Sequence, residues 1–428
     1  MEAIEKLLKD HSPKWAWKND NFEPGKTPVY YSGPFYDQNE LKMAIDAFLN
    51  GKWLASGEHV HKFEVAFSKK FNSLFSVMVN SGSSANLVML AALKKYFGWG
   101  DGDEIIVSPA GFPTTIAPIV QNKLTPVFAD IEWETLNFDL EEVIKKISPR
   151  TRAIFVSPVL GNPPDMWKLA DITNSKRGQE ILLIGDNCDS LGSKWGGKLL
   201  GDFYFCWSSS FYPAHHITTG EGGMISANNE KFTKLCRSIS WWGRDCYCVG
   251  AGNLLPCGTC GERFSKWLDN YDGVVDHRYL FSSMGYNLKP LDLQGALGLA
   301  QLKKVDEITR RRNTHKHIIA GFVEKHIDIC SVVYNLPQAE PSWFGIPMIV
   351  DPSYKNRLQQ HFESNKIQTR NYFAGNILLH PGYSHLGYYR EYPNANRVLD
   401  EVFFLGCPPH YDVEILRYID EVCSKWRT

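Results

Sequence analysis

The sequence predicts an α/β chain whose mainly parallel sheet is covered by helices on both faces. Seven short apolar runs, FSVMVN (75–80), EIIVS (104–108), TPVFAD (125–130), AIFVSP (153–158), ILLIGD (181–186), FYFCWS (203–208) and GMISA (223–227), recur at intervals that leave room for helices. Runs of that kind are the mark of strands buried on both faces. Helical periodicity is present in Ser84–Tyr96 and strongest in Leu291–Lys304, continuing toward the basic run Arg310–Arg312. The 428 residues exceed one typical domain and suit a large and a small domain around a shared cleft. Residues 1–40 read as an N-terminal segment, 41–300 as a large domain, and 301–428 as a smaller C-terminal α/β domain.

Composition narrows the partners. Charge is balanced at -1 and no block of five like charges occurs, so nothing argues for nucleic acid or an anionic membrane. A small neutral or anionic substrate fits better. The first twenty residues mix both charge signs without an apolar core, and no stretch of about eighteen apolar residues is found, so the expected location is cytoplasmic. Ten cysteines in a chain of this size point to metal or redox chemistry where they cluster, and four crowd between Cys246 and Cys260.

In chain order, the first chemical signal is NSGSSANLVML. It starts where a strand signal ends and a helix signal begins, so Ser81, Gly82, Ser83 and Ser84 would offer backbone N–H groups and hydroxyls to an anion. An ordinary capped helix start would read the same way. Phe112 in SPAGFPTT follows another strand and could stack on a ring, or sit in the core. Asp186 ends the run ILLIGD at the strand edge where open α/β sheets bind ligands. A carboxylate there can hold a protonated pyridine nitrogen, which makes that ring an electron sink. Residues 208–223, SSSFYPAHHITTGEGG, then put two histidines before a glycine turn. The stretch 243–275 is loop-like and rich in Gly and Cys, and a loop of that length is usually functional.

Together these stretches resemble the DegT/DnrJ/EryC1/StrS family of sugar aminotransferases and dehydratases, which have the fold-type I pyridoxal-phosphate architecture. The resemblance runs from GKWLASG (51–57) with Phe63 and Glu64 through MGYNLKPLDLQGALG (284–298) to Arg370. It implies a seven-stranded, mainly parallel sheet flanked by helices. It further implies that Asp186 pairs with the ring nitrogen, that Gly82, Ser83 and Ser210 hold the phosphate, and that Asn287 reaches the phosphate from a neighbouring subunit of a homodimer. The family's Schiff-base lysine lies five residues before the first glycine of the GEGG turn, and here that residue is His215.

Imidazole has no primary amine, so a coenzyme in this site must be held without a covalent bond. Pyridoxamine phosphate brings its own amine, and His215, with an ordinary pKa near neutrality, can take a proton. A buried, satisfied histidine in an inactive site is the bland alternative, and His216 the weaker candidate. Histidine here resembles the 3-dehydratases of nucleotide-linked 4-keto-6-deoxyhexoses. One kind recycles its coenzyme with glutamate and needs no metal. The other carries a [2Fe–2S] cluster and receives electrons from a flavin and iron–sulfur reductase.

The cysteines bear on that choice. Fifty-seven residues separate Cys188 from Cys246, and one separates Cys246 from Cys248. This spacing, with GRDCYC and TCGERF, resembles the iron–sulfur kind, whose substrate is CDP-4-keto-6-deoxy-D-glucose and whose products feed dideoxysugars of surface polysaccharides. Cys260 is the fourth ligand by context, although eleven residues separate it from Cys248 where the family has seven, and Cys257 competes with it. The halves CYC and CGTC would also suit a structural zinc site, on a non-catalytic protein of the same fold. A plain transaminase would need Lys194, Lys198 or Lys289 in place of the missing lysine, and none has the motif position.

Overall fold

The computed structural model describes Lys6 and residues 21–174, 180–245 and 263–427, with the backbone alone at Lys266 and Trp267. All seven apolar runs form strands: β1 (Phe75–Val79), β2 (Glu104–Val107), β3 (Thr125–Phe128), β4 (Thr151–Val156), β5 (Leu182–Asp186), β6 (Cys206–Ser210) and β7 (Gly223–Ala227). They make one sheet in the order β1-β7-β6-β5-β4-β2-β3. From β6 to β3 every pairing is parallel. Only β7 runs against its neighbours, β1 and β6. The run FYFCWS enters the sheet later than its first aromatic residue because Leu200–Phe203 closes as a 3-10 turn.

Successive strand residues point to opposite faces, and two apolar cores result. Leu182, Ile184, Ala153, Phe155 and Ile225 pack on one side, where they meet α3 (Gly82–Phe97), α4 (Pro113–Gln121) and α7 (Glu230–Ser240). Leu183, Ile154, Val156 and Met224 face the other, against α2 (Glu58–Lys70), α5 (Leu140–Lys146) and α6 (Met166–Asn174). The helix before these, α1 (Gln38–Asn50), is fixed by a capping box of Asp37 and Glu40. Glu64 of α2 is buried, accepts the Met78 N–H, and is held by a two-pronged Arg237 pair at 3.1 and 2.7 Å.

Past the sheet the chain departs from one continuous helix. It forms α8 (Asp292–Leu302) and then α9 (Val305–His326), broken at Lys303 and Lys304. Lys304 reaches back to the fully buried Glu40 at 2.7 Å and to Asp37 at 2.9 Å, so the chain turns where that ion pair holds it. Helix α9 leads to a second, antiparallel sheet of β8 (Cys330–Val332), β9 (Gly345–Val350), β10 (Thr369–Asn371) and β11 (Val402–Gly406), in the order β8-β9-β11-β10. Helices α10 (Lys355–Ser364), α11 (Pro393–Glu401) and α12 (Val413–Ser424) complete the chain.

The loop expected over 243–275 ends in a hairpin, Lys266–Leu268 with Tyr271–Val275. The two residues between, Asp269 and Asn270, are of the type that tight hairpin turns demand. Abundant Gly and Cys upstream hide that local signal.

Helices α2 and α8 approach so closely that glycine is required between them. A Cβ on Gly295 would stand 2.3 Å from the Val60 nitrogen, and one on Gly298 would stand 2.5 Å from the Phe63 ring. Gly298→Ala is expected to destabilise the fold by about 1–3 kcal/mol through overpacking, read as a lower urea midpoint with an unchanged slope.

Candidate active site

Four elements converge at the carboxyl end of β5. Asp186 closes that strand with 5 % of its surface accessible. Its Oδ2 accepts from Asn86 Nδ2 of α3 at 2.8 Å and from Thr115 Oγ1 of α4 at 2.7 Å, while Oδ1 accepts the Cys188 N–H at 3.2 Å. The Asn86 amide cannot turn away, because Ser208 of β6 donates to its Oδ1 at 2.6 Å. The carboxylate is therefore fixed in direction by donors from three flanking segments.

Beside it lies the start of α3. Ser81 caps the helix by accepting the Ser84 N–H at 3.1 Å, and Ser83 Oγ donates to Thr114 Oγ1 at 3.1 Å. A Cβ on Gly82 would stand 2.5 Å from Ser210 Cβ and 3.0 Å from Cys188 Sγ, so only glycine leaves this corner open. Gly223 presses on the same corner, since its Cβ would stand 2.2 Å from the Ser81 carbonyl oxygen. Free N–H groups, hydroxyls and the positive end of a helix dipole give the corner the chemistry of an anion seat.

The residues singled out from sequence come together unequally. Gly82 lies against Ser210 and Cys188, and Cys188 donates its N–H to Asp186, with Ser83 next along the helix. Phe112 is half exposed at the start of α4, edge-on to Phe373 at 5.9 Å. Asn287 is exposed on a segment that runs past the cradle, where Leu288 O accepts the Asn80 N–H at 3.0 Å. Cys246, Cys248, Cys257 and Cys260 lie outside the described residues. Cys188 is a free thiol, and burial followed by the Asp186 charge pushes its pKa well up.

His215 follows β6 in a turn closed by its own N–H to Tyr212 O at 3.0 Å. Its Nδ1 stands 3.5 Å from Asp189 Oδ1 but is poorly aligned, so this buried nitrogen has no hydrogen-bond partner among the described residues. Burial, then the nearby Arg312 guanidinium, pushes the His215 pKa down to about 3. Burial and the Asp186 charge push Asp189 up to about 7. Both shifts disfavour charge, and the imidazole stays in its proton-accepting form near neutrality. His216 points elsewhere, with Nε2 2.8 Å from Ser342 O, and is 2 % accessible. That geometry fits a core histidine held through one ring nitrogen, its Nδ1 having no partner among the described residues.

Two residues that sequence reasoning did not single out shape this corner. Leu160, at φ 54°, adopts a left-handed conformation uncommon for leucine and directs its N–H to Asp189 Oδ2 at 3.4 Å. Arg312 is fully buried, and among the described residues no carboxylate lies within 4 Å of it. Its signal is in the sequence: Val305, Ile308, Arg312 and Ile319 share one helical face. Nearby His410 has both ring nitrogens buried without partners among the described residues, and burial followed by Arg312 lowers its pKa to about 3.

A helix-flanked, mainly parallel sheet with a fixed carboxylate at a strand end and an anion-seating helix start beside it is the architecture of fold-type I pyridoxal-phosphate enzymes. The chain belongs to the DegT/DnrJ/EryC1/StrS aminotransferase family, which it matches over residues 36–424. It is 36% identical to the lipopolysaccharide biosynthesis protein RfbH of Salmonella typhimurium, across 98% of this chain and 96% of that protein. It is also 36% identical to the dTDP-4-dehydro-2,6-dideoxy-D-glucose 3-dehydratase of Saccharopolyspora spinosa, across 96% and 88%. Among solved structures, the E. coli GDP-4-keto-6-deoxy-D-mannose-3-dehydratase with bound hydrated PLP superposes with a TM-score of 0.79 at 29% identity, covering 92% of this chain and 98% of that one. No helix among the described residues is long and apolar enough to cross a membrane.

The low pKa of His410 has a stability consequence. The unfolded imidazole, with an ordinary pKa near 6.5, gains its proton before the folded one does, so its contribution is fully present above that value and fades as pH falls toward 3. The stability of wild type relative to His410→Phe is expected to fall steadily from pH 7 to pH 4 in urea titrations. A difference independent of pH would contradict this burial of a neutral ring.

Proposed function

We propose that the enzyme is a nucleotide-sugar 3-dehydratase that uses pyridoxamine phosphate and removes the C3 hydroxyl of a 4-keto-6-deoxyhexose. The observation that carries this reading is His215 at the motif position of the family's lysine, on a site whose carboxylate and anion-seating corner are otherwise intact. Relatives named as 3-dehydratases of dTDP- and GDP-linked sugars support the reaction class. CDP is the nucleotide implied by the resemblance to the iron–sulfur kind alone.

In this reading Asp186 pairs with the ring nitrogen, Gly82, Ser83 and Ser210 hold the phosphate, and Phe112 covers the ring. The bound coenzyme supplies an amine for the C4 ketone and a ring that accepts an electron pair. His215, kept neutral by burial, takes a proton from the carbon bearing that amine and can return one to the departing C3 oxygen. The Gly82 corner fits the phosphate because any side chain there would fill it.

Cys188, Cys246, Cys248 and Cys260 would hold a [2Fe–2S] cluster, with Cys257 the competing fourth ligand, and a flavin and iron–sulfur reductase would deliver electrons through it. The free Cys188 thiol against the Gly82 corner supports a cluster next to the ring; its raised pKa means that metal must displace a bound proton. A homodimer is supported by the apolar edge around Asn287, where Met284 is 98% exposed and Leu54 and Leu291 are more than half exposed. Asn287 would then reach the partner's phosphate. A lipopolysaccharide biosynthesis relative fits a role in making sugars for surface polysaccharides. The expected place of action is the cytoplasm.

Two measurements test this. After anaerobic purification, iron and acid-labile sulfide are expected at about two each per chain, with an EPR signal on reduction; zinc would support a structural site, and no metal would leave a metal-free dehydratase. His215→Asn is expected to lower dehydration by about 10²–10⁴-fold while pyridoxamine phosphate binding, followed by absorbance, persists. Full activity in that variant would remove His215 from the chemistry.

A further inference from the structure

Burying a guanidinium without a carboxylate beside it is costly, and replacement by an apolar residue is often neutral or stabilising. Arg312 is nevertheless 0% accessible. Its Nη2 donates to Ala214 O at 2.9 Å, to His215 O at 3.2 Å and, more weakly, to Ser32 Oγ at 3.5 Å, and its Nη1 donates to Phe344 O at 3.0 Å. Nε has no partner. Ser32 also donates to Ala214 O at 2.6 Å, so this carbonyl is gripped from two elements far apart in sequence. The Phe344 ring lies 5.2 Å from the His215 ring and 5.6 Å from the guanidinium carbon.

We propose that Arg312 is the positioning residue of His215: its fork fixes the carbonyls of Ala214 and His215, and its charge stands permanently behind the imidazole. The part that concerns turnover rests on His215 acting as proton acceptor; the positioning itself does not. A planar fork can reach carbonyls of two segments at once, which a lysine ammonium cannot match in geometry. Among the described residues, the charged and titratable groups facing the imidazole are Tyr212, Asp189, His216 and Arg312. Those facing the guanidinium also include His315, His410, Cys407 and Tyr411. Asp189 is the one acid in this set. It makes no ion pair with the guanidinium, and its Oδ1 stands 3.5 Å from His215 Nδ1. A fixed cation therefore opposes protonation of His215, in the direction of the lowered His215 pKa.

The test uses the full chain without coenzyme, labelled with ¹³C-histidine, and assigns His215 by the signal lost in His215→Asn. In wild type the His215 imidazole is expected to stay neutral to below about pH 5. Arg312→Met should raise its titration by about one unit or more. Arg312→Lys keeps the charge and loses the fork, so the titration should stay low while hydrogen-exchange protection of the His215 and His216 amides falls about tenfold. In turnover of the nucleotide sugar, Arg312→Lys should lower kcat about tenfold or more at unchanged KM. An unmoved His215 titration in folded Arg312→Met, or unchanged amide protection in Arg312→Lys, would overturn the proposal. If Arg312→Met does not fold, the Arg312→Lys exchange measurement decides alone. If the chain proves not to be a dehydratase, the two NMR results still stand or fall by themselves.

Discussion

A carboxylate buried at a strand end must have its lone pairs satisfied, and most of this molecule's layout follows from how Asp186 is satisfied. Asn86 arrives from α3, Thr115 from α4, and Ser208 of β6 locks the Asn86 amide in place. These contacts hold only if two helices and two strands end at the same level. Parallel strands ensure this, because their carboxyl ends lie along one edge and each helix start faces it. The anion-seating start of α3 and the acidic end of β5 are therefore neighbours by topology.

A second constraint lies below the first. His216 and Arg312 are withdrawn from water and His215 and His410 partly so, and lowering of the three imidazole pKa values keeps this group from accumulating charge. One permanent cation remains, held by oxygens of neutral groups. This cluster is thus arranged around a single cation whose hydrogen bonds run to the turn that carries His215, and the segment leading into β9 contributes through Phe344.

The strand set was legible because each strand is a short apolar run buried on both faces, a pattern that survives without knowledge of the partners. Asp186 and Gly82 were legible for a similar reason, since strand ends and helix starts are local signals, whereas Ser210 came from the family resemblance alone. Asn86 and Thr115 were not, because a polar residue inside a helix looks the same whether it faces solvent or a buried carboxylate. Arg312 was hidden within the basic run Arg310–Arg312; only its helical phase with Val305 and Ile308 separates it from its exposed neighbours. The break between α8 and α9 depends on an ion pair to Glu40, more than 260 residues away, which no local window contains. Leu160 gave no signal at all, since its left-handed backbone is imposed by tertiary contacts.

The turn from His215 to Gly223 is pinned at both ends. Arg312 and Ser32 hold the Ala214 carbonyl, and Gly223 is pressed against Ser81 without space for a side chain. Neither anchor uses the side chain at position 215. Natural selection can therefore exchange the group presented there, amine for imidazole or the reverse, without rebuilding the frame that aims it. Such a scaffold works like a tool holder with a fixed chuck, and a family built on it can diversify its chemistry by single substitutions while its architecture stays constant.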